Sequence, residues 1–210
     1  MKSSSWGKGG LCMIKFIGFY DYTVILTYLS LFSAVFGMIC AVDGEFNTSI
    51  VCLLIAGICD AFDGTIARTK KDRTEDEKAF GIQLDSLCDV ISFGVFPACL
   101  CHSMGVNGKI GMLIGFFYCL CAVIRLAFFN VLEANRQKTE GGCNKAYRGL
   151  PVTSISIILP FIYGLQFIMP EHVFTMLLHV VLVVVAFLFI LDFSVRKPNI
   201  QKLLPMLNKE

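Results

Sequence analysis

The sequence lacks a polar stretch long enough to fold as a soluble domain of any size. Only 16% of its 210 residues are charged, 56% are hydrophobic, and the mean hydropathy is +0.71. No two of its ten cysteines are spaced Cys-x-x-Cys, which excludes the common zinc-binding pattern. Most of them (Cys40, Cys52, Cys59, Cys88, Cys99, Cys119, Cys121) fall inside apolar runs. They read as small packing residues in a reducing cell, not as a disulfide framework. No internal repeat and no low-complexity tract is present. The three histidines, His102, His172 and His179, read as interfacial or packing residues.

What is present is a series of apolar runs, most of them near the 20 residues a spanning helix needs. Six are expected: 22–42, 48–68, 80–103, 109–131, 150–169 and 172–192. They make an all-α membrane protein of one domain over 1–210. The first run is too long for a signal-peptide core and five more follow, so a retained first helix is expected. Residues 11–20, where Lys15 sits among Phe16, Phe19 and Tyr20, suit a short amphipathic helix in the interface or a simple lead into the first span.

Positive charge is nearly absent from one side of this six-helix arrangement. Sixteen of the 18 Lys and Arg lie in the N-terminal segment, the 68–78 and 136–148 regions and the C-terminal tail. Lys109 faces the other side, and Arg125 lies within the fourth span. By the positive-inside rule both termini and both basic loops are cytoplasmic, in a multi-pass protein of the plasma (inner) membrane. The cations are scattered and interleaved with acids, so no nucleic-acid partner is expected. The loop 69–79 reads as a solvated turn of mixed sign, and 132–149 as a second loop leading to a hinge at Gly149-Leu-Pro151.

Four aspartates break the apolar pattern. A carboxylate at membrane depth costs about 2.5–3.5 kcal/mol on insertion scales and marks a functional site by default. Asp60 and Asp63 are three apart, and Asp85 and Asp89 are four apart, so each pair shares one helix face. Asp60 lies ten residues before Lys70 and Asp89 eleven after Lys78, which puts each about 15 Å inside the cytoplasmic border. In an antiparallel hairpin of the second and third helices the four carboxylates face one another. Two divalent cations would neutralise them, and oxygen-only ligands suit Mg²⁺ or Mn²⁺ that also engages a substrate phosphate. A proton or cation pathway, or a buried Asp–Arg pair, is the alternative. A transporter spreads its ionisable residues over several helices near the midplane, whereas these are concentrated on one hairpin and one leaflet.

The residues read Asp60-x-x-Asp63-Gly64-x-x-Ala67-Arg68, then Gly81-x-x-x-Asp85-x-x-x-Asp89. This pattern resembles the signature of the CDP-alcohol phosphatidyltransferase family. One departure is the twelve residues between Arg68 and Gly81, where the family more often has about eight; the surplus lengthens a surface loop. The resemblance implies six transmembrane helices in the CDP-alcohol phosphotransferase fold, a homodimer, a site for two divalent ions (Mg²⁺ or Mn²⁺), and displacement of CMP from a CDP-linked lipid. It implies that Asp60, Asp63, Asp85 and Asp89 ligate metal and that Asp89 is the general base. Asp60, Gly64, Ala67, Arg68, Gly81 and, more loosely, Thr27 fall at nucleotide-side positions.

Three further stretches resemble the serine-accepting branch of that family: Asp85–Ala98, Arg125-Leu-Ala-Phe-Phe-Asn130, and Gly149-Leu-Pro151. They imply CDP-diacylglycerol and L-serine as substrates, with membrane lipids as the surroundings. Glycerol 3-phosphate, inositol phosphate or choline as acceptor is the nearest alternative. Free serine is a zwitterion whose carboxylate wants a cation, for which Arg125 and Arg148 are the candidates, beside Asn130. For each a bland role is open as well: an ion pair with a site aspartate for Arg125, a headgroup-facing charge for Arg148, a helix cap for Asn130. Nothing in the spacing singles out Tyr118 or Tyr147.

Overall fold

A computed structural model describes residues 18, 24–67, 74–138, 146–192 and 194–196. The chain is almost wholly helical there. Helix α1 covers Ile25–Val42, α2 Phe46–Ala67, α3 Glu75–Asp89, α4 Phe96–Ser103, α5 Gly108–Lys138, α6 Ile155–Gly164 and α7 Glu171–Ile190. A π-helical segment, Val90–Val95, joins α3 to α4 without a break, so Glu75–Ser103 forms one long rod. Among the described residues, five helical stretches are long and apolar enough to cross a membrane: α1, α2, this rod, α5 and α7.

The expected fifth span is shorter than anticipated. Val152–Phe167 is an apolar helix with 3₁₀ turns at both ends and Pro160 inside it. Proline removes a backbone donor and crowds the preceding turn, and the regular α-helix here is ten residues long. Two other borders also move. Helix α3 starts at Glu75 instead of the expected 80, because Thr74 and Glu77 form a reciprocal capping box (Glu77 N–H to Thr74 Oγ1, 3.2 Å; Thr74 N–H to Glu77 Oε2, 2.9 Å). The end of the expected solvated turn is therefore helix. Helix α5 runs on to Lys138, which takes up the start of the expected 132–149 loop. Further along, Ala146–Arg148 (β1) pairs antiparallel with Ser194–Arg196 (β2).

Helices α1 and α2 pack closely through small polar residues. Ser30 Oγ donates to Ala56 O (3.2 Å), Ser33 Oγ to Cys52 O (2.8 Å) and Ser49 Oγ to Gly37 O (2.8 Å). In lipid, where burying apolar surface gains little, such close contacts and interhelical hydrogen bonds hold helices together. A Cβ at Gly37 would lie 2.8 Å from Cys52 Cβ and would also press into the Phe96 ring. The core beyond this seam is apolar and includes Phe93, Phe96, Leu100, Tyr118, Leu178 and Phe189. Large apolar residues such as Phe32, Ile58, Ile110 and Met176 point outward, as a lipid-facing surface requires. The described cysteines are free, in keeping with their reading as packing residues.

The interfacial segment expected at 11–20 lies outside the described residues apart from Gly18, and so does the tail beyond 196.

Candidate active site

The site forms where the last turns of α2 face the last turns of α3. Spacings of three and four put Asp60 with Asp63, and Asp85 with Asp89, on the facing sides. One carboxylate oxygen each from Asp60, Asp85 and Asp89 lies within 4.8 Å of the others. Across the hairpin the Asp60 carboxylate faces that of Asp89, and Asp63 lies near Asp85. Asp63 and Asp89 are buried, and Asp60 and Asp85 partly so. Three of the four candidate carboxylates thus meet in one place, with Asp63 beside them.

Helix α1 supplies one more contact. Thr27 Oγ1 donates to Asp63 Oδ2 at 3.3 Å, and both side chains are buried. Thr27, expected on the nucleotide side, thus orients a carboxylate. Asp85 Oδ1 is buried with no hydrogen-bond partner among the described residues. An ionised oxygen in that state is costly unless a cation completes it. An oxygen-only donor set with one unsatisfied oxygen fits a hard divalent ion such as Mg²⁺ or Mn²⁺.

Around this cluster α3 and α5 are locked in register. Ser86 Oγ, between the two aspartates of α3, donates to Asn130 Oδ1 on α5 at 2.7 Å. Just beyond Asp89 the π segment widens the helix and disturbs the regular backbone ladder. Tyr118 Oη donates to Phe93 O (2.7 Å), and Cys119 Sγ to Gly94 O (3.4 Å), both from α5. Tyr118 is fully buried, and its ring packs on Phe189 of α7 with centroids 5.6 Å apart. Ser86 and Tyr118 escape sequence reasoning. A serine flanked by the two aspartates is the available signal for the first; the second has none.

Other expected site residues fall as follows. Gly81 lies one turn before Asp85, and a Cβ there would meet nothing within 4 Å among the described residues. Gly64 and Ala67 lie in the last turns of α2, with side-chain surroundings outside the described residues, and Arg68 lies outside them altogether. Arg148 is placed by its backbone in β1, opposite Ser194. Asn130 is brought to the site through Ser86. Arg125 is engaged with Asp192, just past the end of α7, a partner that the sequence does not suggest.

The profile of the CDP-alcohol phosphatidyltransferase family matches residues 22–191, which contain all four aspartates, Thr27, Ser86 and Asn130. The chain is 35% identical over 150 residues to archaetidylserine synthase of Methanothermobacter thermautotrophicus, covering 71% of this chain and 60% of that protein. It is 35% identical over 113 residues to CDP-diacylglycerol–serine O-phosphatidyltransferase of Saccharomyces cerevisiae, covering 52% and 40%. A protein of the same name from Methanocaldococcus jannaschii is 30% identical over 135 residues, covering 64% and 58%. The chain thus spans roughly two fifths to three fifths of the length of these relatives. With the family profile matched over most of its length and the paired aspartates on facing helices, this chain belongs to the CDP-alcohol phosphatidyltransferase family.

Proposed function

We propose that the protein transfers the phosphatidyl group of CDP-diacylglycerol to the hydroxyl of L-serine, giving phosphatidylserine and CMP. The observation that carries the chemistry is the meeting of the Asp60, Asp85 and Asp89 carboxylates within 4.8 Å, with Asp63 beside them. The acceptor rests on the relatives. Their names agree on serine and differ in the lipid, archaetidyl in one and phosphatidyl in the others.

In this reading Asp60, Asp63, Asp85 and Asp89 hold two divalent ions, Mg²⁺ or Mn²⁺. Bound there, the ions neutralise the pyrophosphate and stabilise charge on the departing CMP. Thr27 keeps Asp63 turned toward the cluster. By the family resemblance Gly64, Ala67 and Gly81 would leave room on the nucleotide side, and Arg68 would steady the site by pairing with a phosphate or an acid. Asp89 takes the proton from the serine hydroxyl. The hydroxyl oxygen bonds to the phosphorus that carries the glyceride, the bond from that phosphorus to the bridging oxygen breaks, and CMP leaves with the electron pair.

A single base at the attacking hydroxyl favours direct displacement, so a donor chiral at that phosphorus is expected to give inverted product; retention would show a covalent step. We place the site on the cytoplasmic side of the plasma membrane, by the sidedness of the basic residues, in one membrane domain that pairs as a homodimer. The test is CMP release by the purified protein from CDP-diacylglycerol with Mn²⁺ or Mg²⁺. Release is expected with L-serine, and not with glycerol 3-phosphate or inositol phosphate. Release with a phosphorylated acceptor alone would overturn the serine assignment and leave the carboxylate chemistry standing.

A further inference from the structure

Two contacts set the height of α5 against the rod that begins with α3: Ser86 to Asn130, and Gly94 O to Cys119 Sγ. Asp89 lies three residues beyond Ser86, about 4.5 Å along the helix, and Arg125 lies five residues before Asn130, about 7.5 Å. The two helices run in opposite directions, so both displacements point the same way. Arg125 therefore lies within about 3 Å of the depth of Asp89.

The guanidinium of Arg125 rests against Gly149. A Cβ at Gly149 would lie 3.2 Å from Arg125 Nη1 and 2.9 Å from Leu191 O, and the backbone there has φ +72°. Only glycine adopts that conformation freely while leaving the arginine room. Leu191 is followed by Asp192, an exposed carboxylate that interacts with Arg125. The segment after Gly149 continues into the Val152–Ser154 turn, which packs on α2, α5 and the π segment that follows Asp89. An opposite-charge pair thus stands at the level of the proposed base, beside a loop whose next turn packs on the segment that follows that base.

An acceptor bearing both charges calls for such a pair. A free amino acid presents a carboxylate and an ammonium a few ångströms apart, and a dipole of Arg and Asp complements both at once. A phosphorylated acceptor brings extra negative charge, which the carboxylate of Asp192 repels. We propose that Arg125 and Asp192 together select a zwitterionic amino-acid acceptor, Arg125 binding its carboxylate and Asp192 its ammonium. This assignment rests on the serine-transfer reading above and adds Asp192 as a specificity-determining residue.

The test measures kcat/KM for CMP release by the full chain in detergent with three acceptors. They are L-serine, ethanolamine (no carboxylate) and 3-hydroxypropanoate (no ammonium). The native protein is expected to prefer L-serine to both. Asp192→Asn should lower the serine-to-3-hydroxypropanoate ratio by about tenfold or more and leave the serine-to-ethanolamine ratio within about twofold, because only ammonium recognition is lost. Arg125→Gln should do the converse, with Arg125→Lys shifting the same ratio less. Asp192 is exposed, so its variant keeps the test available even where an Arg125 variant fails to fold. Equal losses on all three acceptors, or unchanged ratios, would reduce the pair to a structural tie and overturn the proposal while serine transfer stands. Transfer by the native protein to glycerol 3-phosphate and not to serine would overturn the serine reading, and this assignment with it.

Discussion

A carboxylate oxygen of Asp60 on α2 and one of Asp89 on α3 lie within 4.8 Å of each other across a helical hairpin. Two unit charges at that distance repel by about 3 kcal/mol at an effective dielectric of about 20. The hairpin therefore holds a charge conflict that a divalent cation would relieve. Asp89→Asn is expected to raise the melting temperature in EDTA and to abolish transfer while leaving CDP-diacylglycerol binding largely intact. Thermal unfolding in detergent and a lipid-binding assay check this. Parallel loss of binding and turnover would make Asp89 a structural metal ligand and not the base.

The same conflict predicts metal-linked stability. A ligand that binds only the folded state, present at about a hundred times its dissociation constant, stabilises it by about 2.7 kcal/mol. Mg²⁺ or Mn²⁺ at such excess should raise the melting temperature of the native protein and have a smaller effect on Asp60→Asn. Equal shifts in both proteins would place the ion elsewhere.

Thr27 acts on Asp63 through one hydrogen bond of 3.3 Å. Thr27→Val keeps the shape and removes the donor, which typically costs about 1.5–3 kcal/mol when the acceptor is charged. We expect the half-saturating metal concentration to rise about tenfold, and Thr27→Ser to restore it. An unchanged metal titration would make the contact incidental.

The α2–α6 crossing is set by Gly57, one turn before Asp60. A Cβ at Gly57 would lie 2.6 Å from Ser156 Cβ and would also meet its hydroxyl. Gly57→Ala should destabilise by about 1–3 kcal/mol as an overpacked contact. Adding Ser156→Gly should return most of that, as chemical denaturation can measure; no recovery would locate the strain elsewhere.

Tyr118 holds the π segment that follows Asp89, through its 2.7 Å bond to Phe93 O. Tyr118→Phe leaves a buried carbonyl without that donor, at a cost of about 1–3 kcal/mol. Lower stability together with a lower kcat is expected, since the segment sets the end of the helix carrying the proposed base. A fall in stability with kcat unchanged would separate the π segment from catalysis.

The carboxylate cluster could be read from the sequence because spacings of three and four fix a helix face without knowledge of the partner. Once the two apolar runs are taken as antiparallel neighbours, Asp60, Asp63, Asp85 and Asp89 must converge. The early start of α3 was also within reach. Thr74-x-x-Glu77 is a capping box, but the mixed charges around it suggest a loop. The shortness of α6 follows from Pro160, whose cost an apolar run disguises. The π segment could not be foreseen, since Val90–Val95 has the composition of any buried helix and its geometry depends on Tyr118, 25 residues beyond Phe93. The link of Arg125 to Asp192 was hidden for the same reason: it joins residues 67 positions apart, and no local pattern announces it.

Whether the four-aspartate cluster passes phosphatidyl to serine is decided by the lipid that the purified protein makes from CDP-diacylglycerol and Mn²⁺. L-serine, glycerol 3-phosphate and inositol phosphate are offered together at equal concentrations, and the product is identified by mass spectrometry. Phosphatidylserine as the dominant product, absent with Asp89→Asn, is the predicted result. A dominant product with a second phosphate on its headgroup, or phosphatidylserine still formed by Asp89→Asn, would contradict it.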